Sequence, residues 1–241
     1  MSKELRVVLI HPPKPKTLQS ETRRQWVRPL GLHYLAAWLE KNGFKVKILD
    51  FEKDVMSQSQ RAAVLRDNPA DLFGITSVSY TRFEATNIAS DIKRIFPNSM
   101  VIVGGVHFTF VAEDVLSRVN GIDAVCIGEG ENVILSVAMA IASGKNSQQL
   151  DDIPGIAFRR DGKIIRTPPQ PIVKDIDRFP FYADFTWEDY PEYVSIGEQN
   201  IPAMSIITSR GCPNRCAFCS MAGSNFRIRS PGNVADEIEY F

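Results

Sequence analysis

Two hydrophobic periods take turns along residues 1–145. Short runs rich in β-branched residues occupy 5–10, 46–49, 71–77, 100–103 and 123–127. They are of strand length and apolar at successive positions, as strands buried on both faces are. Between them the period changes to that of a helix. Ala85, Ile88, Ala89, Ile92, Ile95 and Phe96 recur at helical spacing until Pro97-Asn98 stops them. Ile134, Leu135, Ala138, Ile141 and Ala142 repeat the pattern up to Gly144, and Leu35, Trp38 and Leu39 lie between Pro29 and Gly43. Proline near the start and glycine past the end is the usual helix asymmetry. A weaker helical pattern surrounds Val115, Leu116 and Val119. Parallel neighbours need crossover helices, so this alternation predicts a doubly wound parallel five-stranded α/β sheet of Rossmann-like type.

Beyond Gly144 the pattern breaks. Residues 156–158 and 164–166 flank Asp161-Gly162, the strongest short signal for a β-hairpin. Six prolines then punctuate 154–191, with Phe179, Phe181, Tyr182, Phe185, Trp187, Tyr190 and Tyr193 supplying apolar surface. This reads as an ordered but irregular connector. A strand is predicted over 203–208, and Ser230-Pro231 opens a helix through Val234, Ile238 and Phe241. The resulting division is 1–145, 146–200 and 201–241.

Composition narrows the function classes. With 44% hydrophobic residues the chain can bury a core, so global disorder is excluded. The 28 basic and 28 acidic residues cancel, which argues against a dedicated nucleic-acid binder. No apolar run approaches the roughly 18 residues that span a bilayer, and the apolar start is too short for a signal peptide. The expectation is a soluble, cytoplasmic protein that binds neither nucleic acid nor membrane.

Of the four cysteines, Cys126 stands alone and Cys212, Cys216 and Cys219 share eight residues. Three thiolates this close can converge on one metal centre, and iron–sulfur clusters are held by thiolates. A structural zinc site normally takes four protein ligands, and His107 and Cys126, the nearest further candidates, belong to the other domain. A zinc module completed by such a distant ligand and an incidental group of thiols are the competing readings.

The array Cys212-x3-Cys216-x2-Cys219, preceded by Ser209-Arg210-Gly211 and following a predicted strand, resembles the loop of the radical S-adenosylmethionine (radical SAM) family. The resemblance implies that the three cysteines hold a 4Fe-4S cluster whose fourth iron binds SAM. It implies reductive cleavage of SAM to a 5′-deoxyadenosyl radical, with flavodoxin or ferredoxin as electron donor. Phe218 stands where the family places a residue near the adenine of SAM, with core packing as its competing reading. Arg210 and Arg215 either offset the cluster's charge or are simply solvated.

In an open parallel sheet, ligands bind beyond the carboxyl ends of the strands. There the third strand reaches Thr76, Ser77 and Ser79, the fourth Gly104, Gly105 and His107, and the fifth Gly128, Glu129 and Gly130. Alone, the glycines mark either a ligand approach or strand-to-helix turns. Taken with the cysteine loop, Gly104-Gly105-x-His107, Gly128-Glu129-Gly130-Glu131, Pro12-Pro13, residues 29–32 and Thr76-x-Val78 resemble the cobalamin-binding domain that precedes the radical SAM barrel in one large subclass. The resemblance covers nearly the whole chain and implies that these strand-end residues contact cobalamin. One departure stands out: His11-Pro12-Pro13-Lys14-Pro15 replaces the Asp-x-His-x-x-Gly whose histidine ligates cobalt in many cobalamin domains. His11 and His107 are therefore expected at a pocket rim, His33 on a surface or in packing, and Cys126 as a small buried hydrophobe.

The implied chemistry is cobalamin-dependent methyl transfer to an unactivated centre of a small-molecule substrate, with cyclisation or rearrangement as the alternative in the subclass. A stand-alone cobalamin carrier with a vestigial loop is the binding-class alternative. A methylthiotransferase is disfavoured, because that family carries a second cysteine trio. Only 22 residues follow Cys219, whereas a complete β/α barrel takes roughly 200–250. The chain is thus expected to be the N-terminal portion of a longer enzyme.

Overall fold

The computed structural model describes residues 5–15, 29–53, 56–182, 193–196, 199–202 and 205–241. Two compact units divide the chain, one ending at Pro171 and the other running from Ile172 to Phe241.

In the first unit the five expected strands form as β1 (Arg6–His11), β2 (Lys45–Asp50), β3 (Leu72–Thr76), β4 (Met100–Gly104) and β5 (Ala124–Cys126). All pair in parallel, in the order β2-β1-β3-β4-β5. Alternation along each strand supplies both layers of the core. Val8, Ile10, Phe73, Ile75, Val101, Val103 and Val125 share one face with Leu65, Ile88, Ile92 and Leu116. On the opposite parity Val7, Leu9, Leu72, Ile102 and Ala124 are equally buried. Glycine at 74 makes room there, because a Cβ would come within 2.8 Å of Leu9 and 3.7 Å of Ile134.

The helices follow their sequence signals. α1 (Leu30–Lys41) ends as Gly43 takes φ +86° and Asn42 Nδ2 donates to Trp38 O. α3 (Arg82–Ile95) and α6 (Glu131–Ala142) lie where the helical period placed them. So does α5 (Ala112–Arg118), preceded by the five-residue α4 (Val106–Phe110). α2 (Gln58–Asp67), which no apolar stripe announced, rests on a capping box. Ser57 Oγ accepts from Gln60 N–H, and Gln60 Oε1 accepts from Ser57 N–H. Only Ala62 and Leu65 of that helix are buried, which is why its period is faint.

The predicted hairpin also forms, as β6 (Ile156–Arg160) and β7 (Lys163–Arg166), with Asp161 at φ 49° and Gly162 at φ 74° in its turn. Both central residues in the left-handed region is the turn that suits twisted strands. The sequence division places this hairpin with the connector, at 146–200. It instead extends the sheet antiparallel from β5, to the order β2-β1-β3-β4-β5-β6-β7.

The second unit departs from expectation at the cysteine strand. Residues 205–208 lie outside any strand, and 203–204 lie outside the described residues. The strand is instead β10 (Ser209–Cys212), antiparallel to β11 (Ser224–Ile228). β8 (Tyr193–Ile196) and β9 (Gln199–Pro202) form a separate antiparallel pair. The closing helix α7 (Pro231–Tyr240) has Ser230 Oγ accepting from Asn233 N–H and Pro231 in its first turn, as its sequence predicts. Phe179 and Tyr182 of the connector are buried, and Phe185, Trp187 and Tyr190 lie outside the described residues.

Candidate functional site

In open parallel sheets ligands bind in the crevice outside the carboxyl ends of the strands, and the loops after β3, β4 and β5 meet at that end. The floor there is mostly backbone. Gly105, at φ 93° and ψ 175°, follows β4; a side chain there would put Cβ 2.5 Å from Ser77 O and 3.1 Å from Thr76 Oγ1. Nothing but hydrogen fits. Ser77 N–H donates to Gly104 O at 2.9 Å, so the turns after β3 and β4 are pinned together. At Gly128, φ 87°, a Cβ would meet nothing within 4 Å; that glycine is required by its dihedral and leaves open space.

Ser77 is buried, and its hydroxyl donates to Val78 O (2.9 Å) and lies 3.1 Å from Thr81 Oγ1. Its polar group is thus used within the turn. Thr76 ends β3 half-buried, whereas Ser79 is exposed, its carbonyl accepting from Arg82. Gly104 backs onto Cys126, whose Cβ would be 3.4 Å from an added one. His107 is half-buried at the start of α4. Desolvation, then the Arg82 guanidinium, hold its imidazole below the usual 6.5, so the ring is neutral at pH 7. Glu129 is half-buried, and Gly130 abuts Leu35 of α1 at 3.2 Å from where a Cβ would stand.

Two contributors were not singled out from sequence. Thr109 Oγ1 donates to Gly105 O (3.0 Å) and accepts from Gly128 N–H (3.1 Å), joining the loops after β4 and β5. Thr81 Oγ1 accepts from Val78 N–H at 3.1 Å and steadies the turn after β3. The available signal was spacing: Thr109 follows Gly105 by four residues and Thr81 follows Val78 by three, both within reach of a hydroxyl bonding to local backbone.

The remaining polar candidates face elsewhere. His11 Nδ1 lies 2.9 Å from Asp50 Oδ1, and Nε2 lies 3.8 Å from Glu52, which also pairs with Lys14. Both nitrogens of the ring thus face carboxylates at the β2 edge. His33 is buried in α1 and packs rather than facing solvent. Cys126 is buried; desolvation, then the Glu131 carboxylate, push its thiol up to about 12. It is an inert thiol.

In the second unit the three clustered cysteines sit at and beyond the tip of β10. Gly211, at φ 81°, marks a register shift in the β10–β11 ladder, and a Cβ there would be 2.0 Å from Asn225 O. Cys212 N–H donates to Ser224 Oγ (3.0 Å), Cys219 N–H to Cys216 O (3.1 Å), and Gly223 N–H to Asn214 O (2.7 Å). All three thiols are uncombined; Cys212 is half-buried, while Cys216 and Cys219 are exposed. Among the described residues no three His, Cys, Asp or Glu side chains stand preassembled around a single ion. The donor set nonetheless suits a cluster, in which each thiolate takes its own iron. Phe218 is 92% exposed, so it does not pack in the core. Arg210 lies over the Phe179 ring at 5.2 Å, and Arg215 is solvent-exposed.

Comparison with known proteins meets this geometry. Residues 20–138 match the B12 binding domain family. Over 98% of the chain, the sequence is 32% identical to the anaerobic magnesium-protoporphyrin IX monomethyl ester cyclase of Rubrivivax gelatinosus, covering 42% of that protein. The chain thus carries a B12 binding domain match and is similar over nearly its whole length to a named cyclase. Another relative, an uncharacterized methyltransferase of Pyrococcus horikoshii, is 30% identical over 98% of the chain and 50% of its own length. The chain therefore spans half or less of the length of these relatives. The fold also matches the radical SAM methyltransferase TsrM of Kitasatospora setae, solved with cobalamin and a [4Fe-4S] cluster bound. That match has TM-score 0.73 and 21% identity, covering 98% of this chain and 45% of that one. Among the described residues, no helix is long and apolar enough to cross a membrane.

Proposed function

We propose that this chain supplies the corrinoid-binding layer and the cluster-binding loop of a cobalamin-dependent radical SAM enzyme. The observation that carries the reading is the loop 212–219, where three uncombined thiols are presented from one hairpin in a chain whose other unit is a B12-binding domain. Cys212, Cys216 and Cys219 would hold a 4Fe-4S cluster, and the strand-end loops of Gly104, Gly105, Gly128 and Gly130 would contact a corrinoid, with open space at Gly128 where a side chain would otherwise stand. When bound, the cluster supplies the electron that cleaves SAM, and the corrinoid supplies a transferable methyl group or a second one-electron centre.

The residues' own work is to bind and to orient. Thr109 fixes the two glycine loops against each other, so the crevice floor does not have to be ordered on binding. Ser77 and Thr81 hold the turn after β3 from beneath, a supporting role rather than a contact. Neutral His107 can donate or accept one hydrogen bond at the rim without placing a charge there. His11, engaged with Asp50 and Glu52, is not offered to the cobalt; the missing Asp-x-His-x-x-Gly agrees with that. Phe218, exposed beside Cys219, is proposed to pack against the adenine of SAM.

Methyl transfer to an unactivated centre of a small-molecule substrate is the reaction we favour, with flavodoxin or ferredoxin as reductant in the cytoplasm. Ring closure is the second reading, favoured by the 32% identity to a cyclase over 98% of the chain. The test is anaerobic reconstitution of the complete gene product with iron, sulfide and cobalamin, followed by addition of SAM and reductant. A cluster, bound corrinoid and 5′-deoxyadenosine are expected. Protein that takes up neither iron nor corrinoid would overturn the proposal, and corrinoid without iron would leave a carrier.

A further inference from the structure

The hairpin that carries the cysteines is fastened at its base by one buried side chain. β11 ends at Ile228, and the next residue, Arg229, continues the ladder by donating its N–H to Thr208 O at 2.9 Å. Its guanidinium then reaches the residue before that: Nη1 donates to Ile207 O at 2.9 Å. The same group donates from Nε to Asn233 Oδ1 (2.7 Å), from Nη2 to Asn233 O (3.1 Å), and from Nη1 to Glu237. Arg229 is 7% exposed and Glu237 0%. One guanidinium thus joins the segment entering β10, the strand leaving the loop, and α7.

A buried ion pair of this kind is seldom there for stability. Desolvating two charges costs about what their attraction returns, and apolar replacements of similar volume often fold as well. What the pair provides is direction, because the planar fork of arginine donates along fixed lines. Here those lines end on Ile207 O and on α7, at the root of the hairpin whose opposite end bears Cys212. Nearby bonds serve the same root: Arg227 Nη1 donates to Val173 O at 2.7 Å, and Ser230 N–H to both oxygens of Asp177 at 3.1 Å.

We propose that Arg229, held by Glu237, is a positioning residue for the cluster: it fixes the base of the β10–β11 hairpin so that three thiols at its far end hold a geometry that iron and sulfide can fill. The inference rests on the cluster reading given above. Its test uses the complete gene product reconstituted anaerobically, with iron and sulfide counted per folded molecule and the reduced cluster followed by electron paramagnetic resonance with and without SAM. Arg229→Met alone would strand a buried carboxylate, so the informative variant is Arg229→Met/Glu237→Leu. It is expected to melt cooperatively yet retain about tenfold less iron, the loss usual when groups that orient metal ligands are removed. Glu237→Gln, which keeps an acceptor for the guanidinium, is expected to retain wild-type iron and an unaltered resonance signal. Wild-type iron in the double variant overturns the proposal. So does its failure to fold, since the pair would then serve the core. An iron loss in Glu237→Gln equal to that of the double variant overturns it in favour of charge. Absence of iron from the wild type itself would instead overturn the cluster reading.

Discussion

Glycine 105 shows how one residue governs the crevice. Its φ and ψ fall in a region essentially closed to side-chain-bearing residues, and the position of a Cβ is already taken by Ser77 O, 2.5 Å away. Gly105→Ala is expected to destabilise the first unit by about 3 kcal/mol and to weaken corrinoid binding, read by urea denaturation and by absorbance titration. Stability unchanged within error would show that the turn relaxes freely. His107 makes a pH prediction. Its folded value lies below the usual 6.5, so on acidification the unfolded chain takes up its proton first. Stability is unaffected above that pH, declines as pH falls below it, and levels off once the folded ring is also charged. Melting temperatures of wild type and His107→Gln should therefore converge or cross as pH drops from neutral toward 5, the variant losing less. Parallel curves would deny the depressed value. Residue identity was legible here; Gly104-Gly105 and His107 could be picked out as they stand. That Ser77 faces inward was not, because a hydroxyl beside a strand end can point either way until its partner, Thr81, is placed.

Elements differ in how plainly they announce themselves. α3 and α6 bury a full stripe, and their periodicity located them. α2 buries only Ala62 and Leu65 and depends on a capping box that local sequence offered as Ser57-x-x-Gln60 without an apolar stripe behind it. The cysteine strand is the instructive miss. Ile206 and Ile207 have the β-branched character of a strand, yet the ladder begins at Ser209. Strand propensity measures fit to a half-buried surface, whereas this hairpin is set by where β11 and Arg229 offer partners. Its ladder carries one fixed irregularity at Gly211. Gly211→Ala should force β10 and β11 apart, because the new Cβ would sit 2.0 Å from Asn225 O. The expected result is loss of most bound iron after reconstitution with little change in corrinoid binding; full iron occupancy would show that the cysteine loop does not need this hairpin register.

At the scale of the whole molecule, the first of the two units carries its own hydrophobic core, and the crevice residues all lie before Pro171. A fragment of residues 1–171 is expected to fold, since a compact unit with its own core can do so alone. It should bind corrinoid and take up no cluster iron. Failure to bind corrinoid, where the complete gene product does, would assign part of that site to what lies beyond the first unit. The cysteine spacing, the five parallel strands and the glycine-rich strand ends were determined by sequence alone, because periodicity, dihedral demand and ligand chemistry are properties of neighbouring residues. Only the tertiary structure decided that the 156–166 hairpin extends the sheet, that Thr109 bridges two loops, that His11 turns toward Asp50 and Glu52, and that Arg229 fastens the cysteine hairpin. Each of these depends on a partner at least 8 residues away in the chain, among them Ile207 at 22 and Asp50 at 39. Contacts across such distances are chosen by packing, which local pattern does not encode.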